Sequence, residues 1–359
     1  MEAVRLPVGF SPRVDSEQPP RHRITSRFFG SDYNAFEGGV VSSGNIPVLS
    51  VFGETIPRAY ETAIREVWEK GVSVRTEYDR PEDPPSRDAT VIITVEKPFG
   101  QPRFHRSFAD GLGGLSEYVM EVVHGAHDYW IKPREEILKG VESTDTRWTY
   151  TYHRRLVEYE IDGAIVDQVD LMIKKLARTG YSRRAQGITW NPILDPPSDH
   201  PPCLQRIWGR LLEDEDGELV FNMNTHWRSR DLYKAWFENV IALTTLMRKI
   251  ADEISRECGR PVRLGRYVDI SDSLHIYGSY FSELEGDPEK GIKSFFERLD
   301  SRSFEDRTWT SDFVRPHFID DGVGKGLRVM LEREKDMPPK VREAIARELE
   351  AMEREGYVV

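Results

Sequence analysis

Four short constellations in this chain hold residue types that can act together on a small anion. In chain order they are Ser182-Arg183-Arg184 with Trp190 beyond it, Pro201-Pro202-Cys203, Arg228-Ser229-Arg230-Asp231 with Asn239, and His275-Ile276-Tyr277. A cysteine thiolate is a potent nucleophile, and neighbouring cations favour loss of its proton. Arginine offers planar, bidentate hydrogen bonds to phosphate oxygens. An asparagine amide both donates and accepts, so it can pair with a ring edge that carries a carbonyl beside an N–H, where an acid would favour an amino group. His275 and Tyr277 alternate on an extended run and so share a face.

Composition narrows the partners. The chain has 359 residues, 38% hydrophobic and 31% charged, with 14 Tyr and 8 Trp, which is enough apolar material for a sizeable core. Its formal net charge of -11 gives no basic field to hold a nucleic acid polymer. Arg154-Arg155, Arg183-Arg184 and Arg228-Ser229-Arg230 stand out against that acidic background as places for a small phosphate. Arg154, Arg155 and Arg230 are expected to be solvated surface arginines. The two cysteines, Cys203 and Cys258, are too few for a disulfide framework, and Cys258 is expected to be structural. No run approaches the roughly 20 apolar residues of a membrane span, and no signal-peptide core is visible, so no membrane is expected and the cytoplasm is the expected compartment.

The elements that must position these residues read as α/β. Residues 1–45 are rich in Pro, Gly and charge and are expected to form an irregular arm. Ile46 to Phe52 is strand-like; Pro57 and Gly71 bracket a helix from Arg58 to Lys70. Thr90 to Val95 is a β-branched buried strand. Asp167 is placed to cap a helix with Val169, Ile173 and Leu176 on one face. Asp216-Gly217 marks a hairpin within 204–229. A helix from about Leu232 to Arg256 and an extended run from Arg260 to Tyr280 follow, then charged helices over Pro288 to Asp300 and Pro338 to Glu355.

Taken together and in order, the four constellations resemble the thymidylate synthases. That family's signature is a serine with paired arginines, a Pro-Cys nucleophile, an Arg-Ser-x-Asp run with an asparagine eight residues on, and a His-x-Tyr. Arg184 to Trp190 and Asp231 to Asn239 keep the family's spacings. The match covers about Leu115 to Phe281. The chemistry explains the grouping: C5 of uracil is a poor nucleophile until a thiolate adds to C6 and turns the ring into an enolate.

The resemblance implies a fold, α/β (α+β), with a mixed or antiparallel sheet, packed helices and a dimer formed through the sheets. It implies a catalytic domain over 46–285, with 286–359 as a charged helical addition. It makes Cys203 the nucleophile, Arg228 and Ser229 the phosphate clamp with Arg183 and Arg184 reaching over from the partner of an obligate homodimer, Asn239 the reader of uracil, Asp231 a ligand of base or pterin, and His275 and Tyr277 ligands of the sugar hydroxyl. Tyr150, in Tyr150-Thr-Tyr-His-Arg-Arg155, fits the family's tyrosine ahead of the nucleophile. For the glutamate on an early helix, Glu117 and Glu121 both miss the spacing to Gly125, and Glu121 is favoured. The implied substrate is a pyrimidine nucleoside monophosphate, with 5,10-methylenetetrahydrofolate or a related reduced pterin as donor and no metal.

Three departures bear on the product. Leu204 replaces a histidine, Trp227 replaces a glutamine, and the end of the chain lacks the family's proline-containing tail. Methylation of dUMP to dTMP is the expected outcome; 5-hydroxymethylation of dUMP, dCMP or CMP, and nucleotide binding without catalysis, are the alternatives.

Overall fold

The computed structural model describes residues 44–139, 145–161, 163–281, 291–334, 337–354 and 357. Residues 1–43 of the expected N-terminal arm lie outside the described residues, as do the last two residues of the chain.

The elements follow in chain order. The first half contains β1 (Val48–Gly53), α1 (Ile56–Lys70), β2 (Val72–Val74), β3 (Ser86–Val95), β4 (Phe104–His105), α2 (Gly111–His124), α3 (Arg134–Leu138), α4 (Tyr152–Val157), β5 (Tyr159–Ile161), β6 (Ala164–Val166), α5 (Gln168–Arg178) and β7 (Gln186–Ile188). The second half contains β8 (Leu204–Glu213), β9 (Leu219–Trp227), β10 (Arg230–Asp231), α6 (Trp236–Cys258), β11 (Val262–Ile276), α7 (Ile292–Ser301), β12 (Thr308–Trp309), α8 (Ser311–Arg315), α9 (Gly324–Arg333) and α10 (Pro339–Glu353).

The main sheet runs β1-β3-β11-β9-β8-β7, with β2 on β3 and β10 on β11. It is mixed: β1 and β3 are parallel, as are β9 and β11, while β3-β11, β8-β9 and β7-β8 are antiparallel. Along β9 burial alternates strictly, with Leu219, Phe221, Met223, Thr225 and Trp227 turned into the core. The other face of the sheet stays open among the described residues. Its cross-strand rows are Phe52-Thr94-Val268-Asn224-Trp208 and Ser50-Ile92-Ile270-His226-Arg206.

Local signals explain most boundaries. Asp167 accepts a hydrogen bond from Asp170 N and starts α5. Gly217 takes a positive φ of 78° in the β8-β9 turn, which a side chain would strain. The helix expected from Leu232 starts instead at Trp236, because Asp231 Oδ1 accepts from Tyr233 N and Lys234 N and holds a separate turn first. α6 is apolar on nearly every side and runs through the core, against α2, α5 and β11. Near the C-terminus, α9 and α10 pack together, and Arg248 on α6 donates to Glu348 of α10 at 3.2 Å.

Candidate active site

Sheet topology gathers the chemistry at one edge. β8 and β9 are antiparallel, so the start of β8 lies beside the end of β9; β11 is parallel to β9, so its end arrives at the same place. Cys203 immediately precedes β8 and Arg228 immediately follows β9, with Arg228 N donating to Cys203 O at 2.9 Å. Arg230 and Asp231 pair with Leu274 and His275 at the end of β11.

At Cys203 the guanidinium of Arg228 is braced by the two prolines. Its Nε donates to Pro202 O at 3.0 Å and its Nη2 to Pro201 O at 2.7 Å, which leaves Nη2 3.6 Å from Cys203 Sγ. The cations were expected to pull the thiol pKa down. Burial outweighs them: the pocket raises the Cys203 thiol above its usual value, with Arg228 and Arg230 only partly opposing. Arg228 Nη1 and the Ser229 hydroxyl have no partner among the described residues, so both are available to an anion. Arg183 and Arg184 are exposed, and neither guanidinium bonds any described residue of its own chain.

Two arginines expected at the surface are buried instead. Arg155 forms an ion pair of 2.6 Å with Asp195, and Arg230, 3% exposed, is paired with fully buried Asp269 and stacks over Trp227 at 3.7 Å. Each found a carboxylate far away in sequence, a partner that local reading does not reveal. Arg230 Nε in turn donates to Asn239 Oδ1 at 3.0 Å, and Asn239 Nδ2 donates to the Tyr118 hydroxyl at 2.6 Å. Tyr118, Arg230 and Asp269 were not selected from the sequence.

The remaining predicted residues divide. Asp231, beyond its two backbone bonds, accepts from the Tyr280 hydroxyl at 2.9 Å, and burial raises its carboxyl. His275 and Tyr277 are in edge contact at 4.5 Å between ring centres. His275 Nδ1 faces Ser273 Oγ at 3.3 Å, and that hydroxyl donates to the Asp88 carboxylate at 2.9 Å. Nδ1 must therefore carry the proton, and the buried Nε2 is an acceptor without a partner among the described residues. Burial lowers His275 to about 4, so the ring is neutral at physiological pH. Glu121, whose carboxyl burial raises, faces His127 at 3.3 Å, while Glu117 meets the other nitrogen of His127 at 3.5 Å. Tyr150, pushed up to about 12 by burial, contacts Tyr152, whose hydroxyl accepts from Leu204 N at 3.4 Å. Tyr78, in a polar loop with no sequence signal, meets Tyr277 edge-on at 6.4 Å.

A small open cleft, about 50 Å3, borders Tyr150. Among the described residues its cations are already matched: Arg155 with Asp195, Lys132 with Asp145, Arg134 with Glu160 and Arg154 with Glu158. Free donors for a dianion are at Arg228 and Ser229.

Two relatives decide the family. The "Putative thymidylate synthase" of Methanothermobacter thermautotrophicus is 33% identical over 196 residues, which are 54% of this chain and 79% of that protein. The protein of the same name from Methanothermobacter marburgensis is 38% identical over 197 residues, 54% of this chain and 78% of its own. The chain belongs to the thymidylate synthase family. A third relative of that name, from Methanocaldococcus jannaschii, is 27% identical over 235 residues, covering 64% of this chain and 87% of its own. Thermostable thymidylate synthase A from Bacillus subtilis superposes on 70% of this chain and 86% of its own, at 16% identity and a TM-score of 0.48. No family model matches the chain.

The family implies a reduced pterin, and open aromatic surface of the kind a planar ring needs lies near His127 and Glu121. Trp148 N donates to Trp130 O at 3.1 Å, both indoles are about two-fifths exposed, and Trp148 meets His127 edge-on at 5.2 Å beside Glu121. Open aromatic faces next to a half-buried carboxyl fit a planar bicyclic ring. No described helix is long and apolar enough to cross a membrane.

Proposed function

We propose that this thymidylate synthase family member transfers a one-carbon unit from 5,10-methylenetetrahydrofolate, or a related reduced pterin, to C5 of dUMP, giving dTMP. The observation that carries the reading is the placement of Cys203 Sγ 3.6 Å from a guanidinium that still has a free donor edge, at the sheet edge where Asn239 and His275 also arrive. Arg228 and Ser229 take the phosphate, the His275 Nε2 lone pair accepts from a sugar hydroxyl, and Asn239 faces the pyrimidine edge.

Cys203 must first lose its proton. Burial keeps the free thiol protonated, so thiolate formation, with the proton passing to water, is a step in the cycle and not a resting state. The sulfur then bonds to C6, and the C5-C6 electron pair moves toward C4 and its oxygen. When bound, the pterin supplies the methylene carbon and, for methylation, the reducing hydride. Trp130 and Trp148 would hold it, with Glu121 beside them through His127.

The open sheet face supports a homodimer, with Arg183 and Arg184 serving the partner's phosphate site. Their lack of side-chain partners among the described residues of their own chain is what recommends it.

The second reading is 5-hydroxymethylation, favoured by Leu204 and Trp227, which replace polar side chains and so alter how water is held. One experiment separates the readings: incubate the protein with dUMP and methylenetetrahydrofolate, weigh the nucleotide product and measure dihydrofolate. A 5-methyl product with stoichiometric dihydrofolate is expected. A 5-hydroxymethyl product without dihydrofolate overturns the choice.

A further inference from the structure

The polar core beside Cys203 contains a phenol that no signature motif contains. Tyr118 lies on α2, and its hydroxyl is 2.6 Å from Asn239 Nδ2. The direction of that bond is fixed from behind. Arg230 has donors only, and its guanidinium is held by Asp269 and by the face of Trp227. The Asn239 atom 3.0 Å from Arg230 Nε must therefore be the amide oxygen, and the nitrogen must face Tyr118. The phenol oxygen accepts, so its own proton points elsewhere, and among the described residues nothing accepts it. Glu121, the residue expected to organise protons here, is turned to His127 instead. Arg230, two residues beyond Arg228 and paired with the end of β11, ties Asn239 and through it the Tyr118 phenol to the sheet edge that carries the nucleophile.

We propose that the Tyr118 hydroxyl donates a hydrogen bond to the 4-oxygen of the pyrimidine and stabilises the charge that develops there when Cys203 adds to C6. The inference rests on the nucleotide chemistry proposed above and adds a residue and a basis for substrate choice. As the sulfur-C6 bond forms, the C5-C6 π pair shifts to C4-C5 and the carbonyl π pair moves onto O4. O4 then accepts far more strongly than the ground-state carbonyl, so a fixed donor gains strength during the step and lowers its barrier. The phenol keeps its proton throughout, because burial raises it well above its usual value. The enolate is quenched at C5 by a solvent proton or by the methylene carbon. Loss of the original C5 proton and expulsion of the sulfur restore the ring. A cytosine would set its 4-amino group, whose lone pair is conjugated into the ring, against this donor and leave the hydroxyl unmatched.

The test is Tyr118→Phe, read by release of tritium from dUMP labelled at C5 and by the Kd for dUMP. Exchange at saturating nucleotide should fall about 100-fold or more, as for loss of one oxyanion donor, while the Kd moves only a few-fold. Substituting 4-thio-dUMP, whose sulfur is a weak acceptor, should slow the wild type more than the variant; an equal penalty in both would show that Tyr118 only positions Asn239 and would overturn the inference. Wild-type exchange in the variant would overturn it as well. Should the variant fail to fold, 3-fluorotyrosine at position 118 keeps the shape with a stronger donor and should change the exchange rate; an unchanged rate counts against the inference. Absence of exchange by the wild type with any pyrimidine nucleotide would defeat the underlying functional reading, a result distinct from all of these.

Discussion

Arg230 Nε lies 3.0 Å from Asn239 Oδ1, so a cation locked in the core decides which end of that amide faces which neighbour. Replacing Asn239 with aspartate keeps the bond to Arg230 but removes the N–H that the amide offered. The Tyr118 proton then turns to the new carboxylate, and the edge becomes all acceptor, which suits an amino group. Asn239→Asp should shift the ratio of kcat/KM toward dCMP over dUMP by on the order of 1–3 kcal/mol. Competition between the two nucleotides measures it, and an unchanged ratio would mean that Asn239 does not read the base.

The same cation carries stability. Asp269 is fully buried and also takes bonds from Ser271 at 3.1 Å and Tyr267 at 3.3 Å, but its charge is balanced by Arg230 alone among the described cations. Arg230→Met should cost about 3–5 kcal/mol in denaturant unfolding by stranding a buried carboxylate. Adding Asp269→Leu should recover much of that loss. Arg183→Met, at an exposed site, should stay within about 0.5 kcal/mol of wild type.

Glu238, next to Asn239 on α6, gives a pH signature. Burial first, and the Asp110 carboxylate second, raise its carboxyl from 4.5 to about 7. Between those values the folded state holds a proton that the unfolded state has released, so stability falls as pH rises through the window. The difference, 7 less 4.5, converts to roughly 3 kcal/mol. Glu238→Gln accepts the same Asp110 N–H and cannot titrate. Unfolding measured at pH 4.5 and pH 8 should show the variant gaining on the wild type by that order at the higher pH; parallel curves would rule out the shift.

The open sheet face yields an assembly prediction. Ile92 sits mid-row between Ser50 and Ile270 and is 40% exposed. A buried charge there would be unpaired in a sheet-to-sheet dimer. Ile92→Arg should convert the proposed dimer to monomer by light scattering and weaken nucleotide binding, since Arg183 and Arg184 would be withdrawn. A monomeric wild type with full affinity would exclude this arrangement.

What the sequence disclosed depends on the range of the interaction. Cys203, Arg228 and His275 could be singled out because they belong to local motifs, and the fold brings them to one sheet edge; the Asp167 cap and the Gly217 turn were legible because the backbone there demands particular residues. The Asn239–Tyr118 bond was not, since its partners are 121 residues apart and tyrosine on a helix has no fixed meaning. Arg228 and Arg230 look alike in sequence, yet one faces the thiol and the other the core. The thiol pKa was misjudged for a related reason: counting nearby charges ignores burial, and here burial dominates.

The central claim is that Cys203 forms a covalent bond to C6 of a uracil nucleotide. Release of tritium from C5-labelled dUMP, compared between the wild type and Cys203→Ala, tests it most directly, because exchange at C5 requires the C6 adduct. The wild type should release label, Cys203→Ala should release none while still binding dUMP through Arg228 and His275, and Cys258→Ala should match the wild type. Release at the wild-type rate by Cys203→Ala would contradict the account.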